Sequence, residues 1–369
     1  MSIEGELVVS VTTAAGRVAA ARGQVQRPRV ANKLFAGRPA RDAGTLAGTL
    51  FAICGRSQAV AADAAVEAAR GEVEPPTLRE ARDTRVAAET IQEHAWRLLV
   101  DWPKLEGRAP QVEALALVRR IIAPLLGGGT GSEGARARSE AEAWAERTIF
   151  GMPPQAFLAL ATVGDFELWV RRGGTTVSAL AAHLVGERAM LGASDVGLLP
   201  AGGDDWVAGE VEAEVDGDAA FEEAPHWRGE ARETGPLARM AGHPLVAATV
   251  ATWGRGVGAR LAARLVELAA ALVAVDGRHG ARRLEGGAGL SWVETPRGLL
   301  LHHVVLEGER IAAYRIVAPT EWNFHPSGAF SRGAVGIRAG NAGRLEQDVR
   351  WLVASLDPCV GVRFEAAHA

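Results

Sequence analysis

ETPRGLLLHHVVLEGERIAAYRIVAPTEWN, residues 294–323, decides how this chain folds. Two runs rich in Leu, Val and Ile flank Glu307-Gly308-Glu309, and β-favouring runs around a glycine turn make a hairpin. The preceding LSWVETPRG adds strand and ends in a Pro296-Arg297-Gly298 turn, and the hairpin ends in Pro319-Thr320-Glu321-Trp322-Asn323. His302 and His303 occupy consecutive strand positions, so they point to opposite faces and do not readily share a metal. One of them is core or rim.

Outward from the hairpin, helical patterns dominate. Residues 246–275 read as one long helical stretch, weakened at its start by Gly254, Gly256 and Gly258. Apolar residues at helical spacing predict a helix over 85–102, closed by Pro103, and others over 111–126, 140–147, 155–161, 177–187 and 342–355. FELWVRR (166–172) looks strand-like, and residues 5–27 read as two strands joined at Ala15-Gly16. The acidic stretch 204–223 is most simply a solvated insertion. The expected class is mainly α with small β elements near both ends, an α+β fold. A single domain is expected over 1–369, with 162–232 its least legible part.

Composition narrows the function classes. Hydrophobic residues make 48% and charged residues 23% of the 369, as in a folded globular chain. A net charge of −4 argues against a dedicated nucleic-acid surface. The most apolar stretch, 261–275, is interrupted by Arg264 and Glu267, so no membrane span is expected. The first residues have no basic segment followed by an apolar one, so a cytoplasmic setting is expected. The only two cysteines, Cys54 and Cys359, cannot by themselves hold an Fe–S cluster or a cysteine-rich zinc site. The Gly127–Gly129 loop lacks the Gly-Lys-Ser/Thr of a phosphate cradle. His94 reads as a satisfied core histidine, and the ten tryptophans as core and interface anchors.

Five segments in order resemble the large subunit of nickel–iron hydrogenases. Ile3-Glu4-Gly5 before a strand is similar to that family's opening. LFAGRPARDAGTLAGTLFAICGRSQ (34–58) resembles the lead into its first metal motif, Arg-x-Cys-Gly-x-Cys-x-x-x-His. APHWRGEARETGPLARM (224–240) resembles a stretch ending in Gly-Pro-Leu-Ala-Arg, and residues 294–323 resemble the family's Glu-Ala-Pro-Arg-Gly hairpin. LDPCVGVRFEAAHA (356–369) resembles the second metal motif, Asp-Pro-Cys-x-x-Cys-x-x-His. The match is poorest at 105–220.

The departures carry the functional reading. In the family, two Cys-x-x-Cys pairs hold nickel, and the second cysteine of each bridges to an iron that carries cyanide and carbon monoxide. Here the pairs read Cys54-Gly55-Arg56-Ser57 and Cys359-Val360-Gly361-Val362. Ser57 is a hard hydroxyl and Val362 has no donor, so neither restores a soft site for nickel. The histidine positions are Ala61 and Glu365, with His368 three residues late, and no segment for nickel-dependent processing is expected. The Arg297 turn, with Pro296, and the Pro319-Thr320 segment match the places where the family donates hydrogen bonds to cyanide.

The resemblance implies a degenerate large-subunit-like protein without competence as a hydrogenase, closest to maturation proteins of the HupK/HoxV type. On that reading Cys54 and Cys359 bind iron and Arg297, Pro296, Pro319 and Thr320 cradle cyanides. A transient Fe(CN)2CO unit would be held before transfer to the true large subunit, with no nickel and no Fe–S cluster. Implied partners are a small maturation chaperone, the cyanide-handling factors and the immature large subunit. Alternatives remain: the cysteines as ordinary buried residues, and Arg297 paired with a buried carboxylate such as Glu4. For the whole chain the alternative is a metal-free adaptor, and a structural subunit of an energy-converting complex ranks third.

Overall fold

A computed structural model describes residues 5–26, 31–186, 188–202, 206–217 and 220–368. The first strands, β1 (Glu6–Ala14) and β2 (Arg17–Gln26), pair antiparallel across Ala15-Gly16 as expected. Helix α1 (Gly55–Arg70) follows the first cysteine, and α2 (Pro76–Trp96) starts with Pro75 and Pro76 at its head, where a missing N–H costs nothing. The sequence placed a helix at 85–102 and stopped it at Pro103. The structure instead starts it at Pro76 and carries it through a π turn, Arg97–Asp101, into Trp102–Leu105. The wider turn leaves Pro103 at a first-turn position, where it breaks no hydrogen bond.

FELWVRR is helical, not a strand. It belongs to α3 (Val163–Arg172), capped reciprocally by Thr162 and Asp165, with Phe166 and Trp169 buried one turn apart. The Thr-x-x-Asp capping box is the signal that outweighs the β-favouring composition. The single stretch expected at 246–275 is two helices, α4 (Pro244–Trp253) and α5 (Val257–Val273), parted where Gly254 takes φ 65°.

Helix α5 is the axis of the main core. Its leucines 261, 265, 268 and 272 are fully buried, each worth roughly 1.5–3 kcal/mol. Arg260, Arg264 and Glu267 share that buried helix at spacings of four and three, one stripe aimed at a single neighbourhood. No helix among the described residues is long and apolar enough to cross a membrane.

The hairpin predicted from 294–323 sits inside a four-stranded antiparallel sheet in the order β3 (His279–Arg283), β4 (Ala288–Thr295), β5 (Gly298–Glu307) and β6 (Arg310–Val317). Glu307 opposes Arg310 across Gly308 (φ 58°), so the turn falls where the sequence put it. One sheet face packs on α1, where Val60, Ala61 and Ala65 meet Val293, Leu300 and Val304. The approach is close: a Cβ on Gly289 would lie 2.1 Å from the Ala65 carbonyl oxygen, and Ser291 Oγ donates to the Ala61 carbonyl at 2.7 Å.

The other face is covered by the acidic stretch, which is not simply a solvated insertion. Trp206, Val207, Val211, Val215 and Phe221 are buried against Leu290, Trp292, Leu299 and Leu301. Glu210 and Glu223 are exposed, while its apolar residues roof the sheet.

After helix α6 (Ala342–Leu356) the chain forms a strand that the sequence reading did not foresee. Strand β7 (Gly361–His368) pairs parallel with β1, in the sheet order β2-β1-β7. This pairing fixes the segment that follows Cys359 against the first strand.

Candidate metal centre

Cys54 ends a 3-10 turn (Ala52–Cys54) and stands immediately before α1. Cys359 lies between α6 and β7. The fold brings the two thiols into electrostatic reach of each other and of Arg297. Burial pushes the Cys54 thiol well up, the neighbouring Cys359 and Glu89 push the same way, and Arg297 and Gln58 oppose them. Burial alone would weaken the Arg297 charge, but Asp357, Glu93, Cys54 and Cys359 together raise its pKa further.

Each sulfur is held by a polar neighbour. Gln58 Nε2 lies 3.7 Å from Cys54 Sγ, and its Oε1 lies 2.9 Å from His302 Nε2, whose Nδ1 is 2.7 Å from the Tyr314 hydroxyl. Burial pushes His302 down to about 3, so the ring is neutral. His303, on the opposite sheet face as expected, is also buried. On the other side Cys359 N donates to Thr320 Oγ1 at 3.2 Å, and Thr320 Oγ1 lies 3.2 Å from Cys359 Sγ. Pro319 opens the short helix, Pro319–Asn323, that presents Thr320.

Arg297 sits in the β4–β5 turn, 2% exposed. The turn is locked because Gly298 (φ 134°) approaches Thr234 so closely that a Cβ there would lie 2.4 Å from its Cγ2. The Pro296 carbonyl accepts from Arg239 Nη2 at 3.4 Å. Arg297 Nη2 donates to Glu93 Oε2 at 2.8 Å, and Nε stands 3.4 Å from Asp357 Oδ1. Nη1 is buried and finds no acceptor among the described residues. Of the two readings of Arg297, the pairing with a buried carboxylate is present, with Glu93 and Asp357 as partners; Glu4 lies outside the described residues.

Asp357 is the keystone that sequence reasoning missed. Besides Arg297 it holds Arg97 Nε at 2.6 Å and Arg264 Nη1 at 2.8 Å. Burial works against its charge, but Arg97, Arg297 and Arg264 outweigh it and hold the carboxyl well below the usual range. It also adopts a left-handed conformation (φ 56°), which an L-residue keeps only when its surroundings enforce it. The polar chain continues inward. Arg264 Nη1 donates to His94 Nδ1 at 3.1 Å, so Nε2 carries the proton given to Glu267 at 2.8 Å. His94 is thus a satisfied core histidine, pushed down to about 4 chiefly by burial.

Ser57, Val362, Ala61 and Glu365 have duties of their own. Ser57 Oγ bonds Glu89, whose carboxylate also accepts from Ser57 N at 3.0 Å and Arg56 N at 2.9 Å. Glu89 thereby satisfies two open N–H groups at the head of α1. Val362 opposes Leu7 in the β1–β7 ladder and packs into that core. Ala61 is buried beneath β4, Glu365 is exposed and pairs with Arg363, and the His368 side chain lies outside the described residues. Among the described residues, no group of three or more His, Cys, Asp or Glu side chains is arranged to hold a metal ion. A metal here would need ligands of its own beyond the two thiolates. Beside the site lies an open cleft of about 780 Å³, reaching Arg297, Asp357 and Pro358 at its base.

Fold and site together define a chain built on the large-subunit architecture of nickel-dependent hydrogenases. A nickel-dependent hydrogenase family model matches residues 281–362. The Ni-Fe-Se hydrogenase of D. vulgaris Hildenborough superposes with a TM-score of 0.65 at 18% identity, over 94% of each chain. An NAD+-reducing [NiFe]-hydrogenase does so at 0.61 and 18%, over 93% of each. In sequence the chain is 33% identical to the hydrogenase expression/formation protein HoxV of Cupriavidus necator, over 96% of both chains. It is also 33% identical to HupK of Bradyrhizobium diazoefficiens, over 100% of this chain and 99% of that one. It belongs to the HoxV/HupK family of hydrogenase expression/formation proteins.

Proposed function

We propose that this protein is an accessory factor of hydrogenase maturation that carries an Fe(CN)2CO fragment as cargo between Cys54 and Cys359. The observation that carries the reading is Arg297 Nη1, a buried cationic donor without an acceptor among the described residues, in electrostatic reach of both thiols. Such a donor is costly to leave unpaired, and an anionic cyanide nitrogen is the acceptor it lacks. The two thiols, once deprotonated, are the soft donors that low-spin iron prefers. Thr320 orients Cys359, and Gln58 orients Cys54. With Ser57 tied to Glu89 and Val362 built into a strand, only two protein thiolates hold the fragment, which leaves it able to depart.

The accessory role follows from membership of a family named for hydrogenase expression and formation. Its partners on this reading are the small maturation chaperone, the cyanide-handling factors and the immature large subunit, in the cytoplasm where thiols stay reduced. The test is an infrared spectrum of protein purified without oxygen from a host expressing the maturation machinery. Cyanide and carbonyl stretches are expected in the wild type and absent from Cys54→Ala and Cys359→Ala. Well-folded wild-type protein with neither bands nor iron would overturn the cargo reading and leave the metal-free adaptor in its place.

A further inference from the structure

Strand β7 ends its sheet. Among the described residues its second edge pairs with no strand, although it runs eight residues without proline. Such an edge offers a row of backbone N–H and C=O groups ready to pair with another extended chain. Its side chains alternate: Gly361, Arg363 and Glu365 are exposed, while Val362 and Phe364 turn inward and line the cleft beside the metal centre. Arg350 caps the Phe364 ring from 4.2 Å.

The cleft has a character of its own. Ile53 and Trp96, two of the few large apolar side chains left exposed, stand on its wall. Its carboxylates are already matched: Glu93 by Arg297, Asp101 by Arg97, and Asp357 by three arginines. Lys104 and Arg119 on the same wall are exposed and meet no carboxylate among the described residues. The unmatched charge of the cleft is therefore positive.

We infer that β7 and this cleft form a docking site for an extended, acidic segment of a protein partner, added as a fourth strand beside β7. Backbone pairing would supply the affinity, and every second side chain of the segment would enter the cleft. Apolar side chains there meet Ile53, Trp96 and Phe364, and acidic ones meet Lys104 and Arg119. A helix or a small molecule would leave the edge unpaired, which is why the occupant is an extended chain. The added strand would roof the approach to Arg297 and the two thiols. The inference rests on the maturation reading for the existence of a partner, but binding needs no iron. Protein that takes the segment yet never holds iron would sink the cargo alone.

The test uses the full chain, panned against displayed random peptides about 10 residues long, the length of a generous strand. Recovered peptides are expected to be acidic with alternating apolar residues, and to protect the amides of β7 from hydrogen exchange. The double variant Lys104→Glu, Arg119→Glu should weaken their binding by about tenfold or more, as two lost charge contacts imply. N-methylation of alternate peptide residues, which removes backbone donors and little else, should abolish it. Recovery of no binders, binders that leave β7 exchange unchanged, or binding indifferent to N-methylation would each overturn the inference.

Discussion

At the two halves of the candidate metal centre, the residue three places after the cysteine is used in opposite ways. At the first, Ser57 is polar and serves the local backbone: with Glu89 it closes the head of α1. At the second, Val362 is apolar and serves a non-local pairing, seating β7 against Leu7. Cys54 is correspondingly deep, 7% exposed, whereas Cys359 is half-buried and tethered through Thr320. One half of the site is built by a helix end and the other by an arginine-caged turn. In both halves the third residue after the cysteine serves folding, once at a helix head and once in a strand pairing.

The largest expected effect comes from the cage. Asp357→Ala would leave Arg97, Arg264 and Arg297 without their shared carboxylate and place alanine at a positive φ. Breaking a buried charge network in this way costs about 3–5 kcal/mol. A denaturation midpoint unchanged from wild type would remove Asp357 as the keystone of the second half.

The first half should respond less. Glu89→Ala strands the Ser57 hydroxyl and two backbone N–H groups, a loss of about 1–3 kcal/mol. Val362→Ala removes half-buried methyl groups from the strand, and about 1 kcal/mol is expected. If urea titration ranks Val362→Ala above Glu89→Ala, the contrast between polar and apolar replacement is wrong.

A last contrast is a pH dependence, with one histidine behind each half. His302 stands behind Cys54 and His94 behind Asp357, and burial lowers both, to about 3 and about 4. A depressed folded pKa means the unfolded chain binds the proton first. The stabilising share is therefore complete above the unfolded value near 6.5 and is lost as pH falls toward the folded value. Both His302→Gln and His94→Gln should flatten the decline in stability between pH 6.5 and pH 4. Identical acid limbs in wild type and both variants would show that neither ring is kept neutral by the fold.

What was legible in the sequence was local. The 294–323 hairpin, the β1–β2 pair and the last helix each carry their signal within a short window, through turn residues and periodicity. The two cysteines and Arg297 could be singled out because motifs surround them. The partners of Arg297 could not, since Glu93 is 204 positions away and sits on a helix face that gives no hint of its target. Glu89 was hidden for the same reason. FELWVRR misled because Phe, Trp and Val favour strands in isolation, while its helix depends on Thr162 and Asp165 outside the apolar run. The acidic stretch misled because its charge masked Trp206, Val207, Val211 and Phe221, which have a sheet to cover only once the fold exists.

The parallel pairing of β1 with β7 has a consequence for synthesis on the ribosome. Strand β1 is translated long before β7, its parallel partner, which pairs Glu6 with Gly361. The wall that carries Cys359 cannot close over Cys54 until that last strand arrives. Until β7 has been translated the nascent chain therefore lacks the strand that follows Cys359, and β1 waits with one edge unpaired.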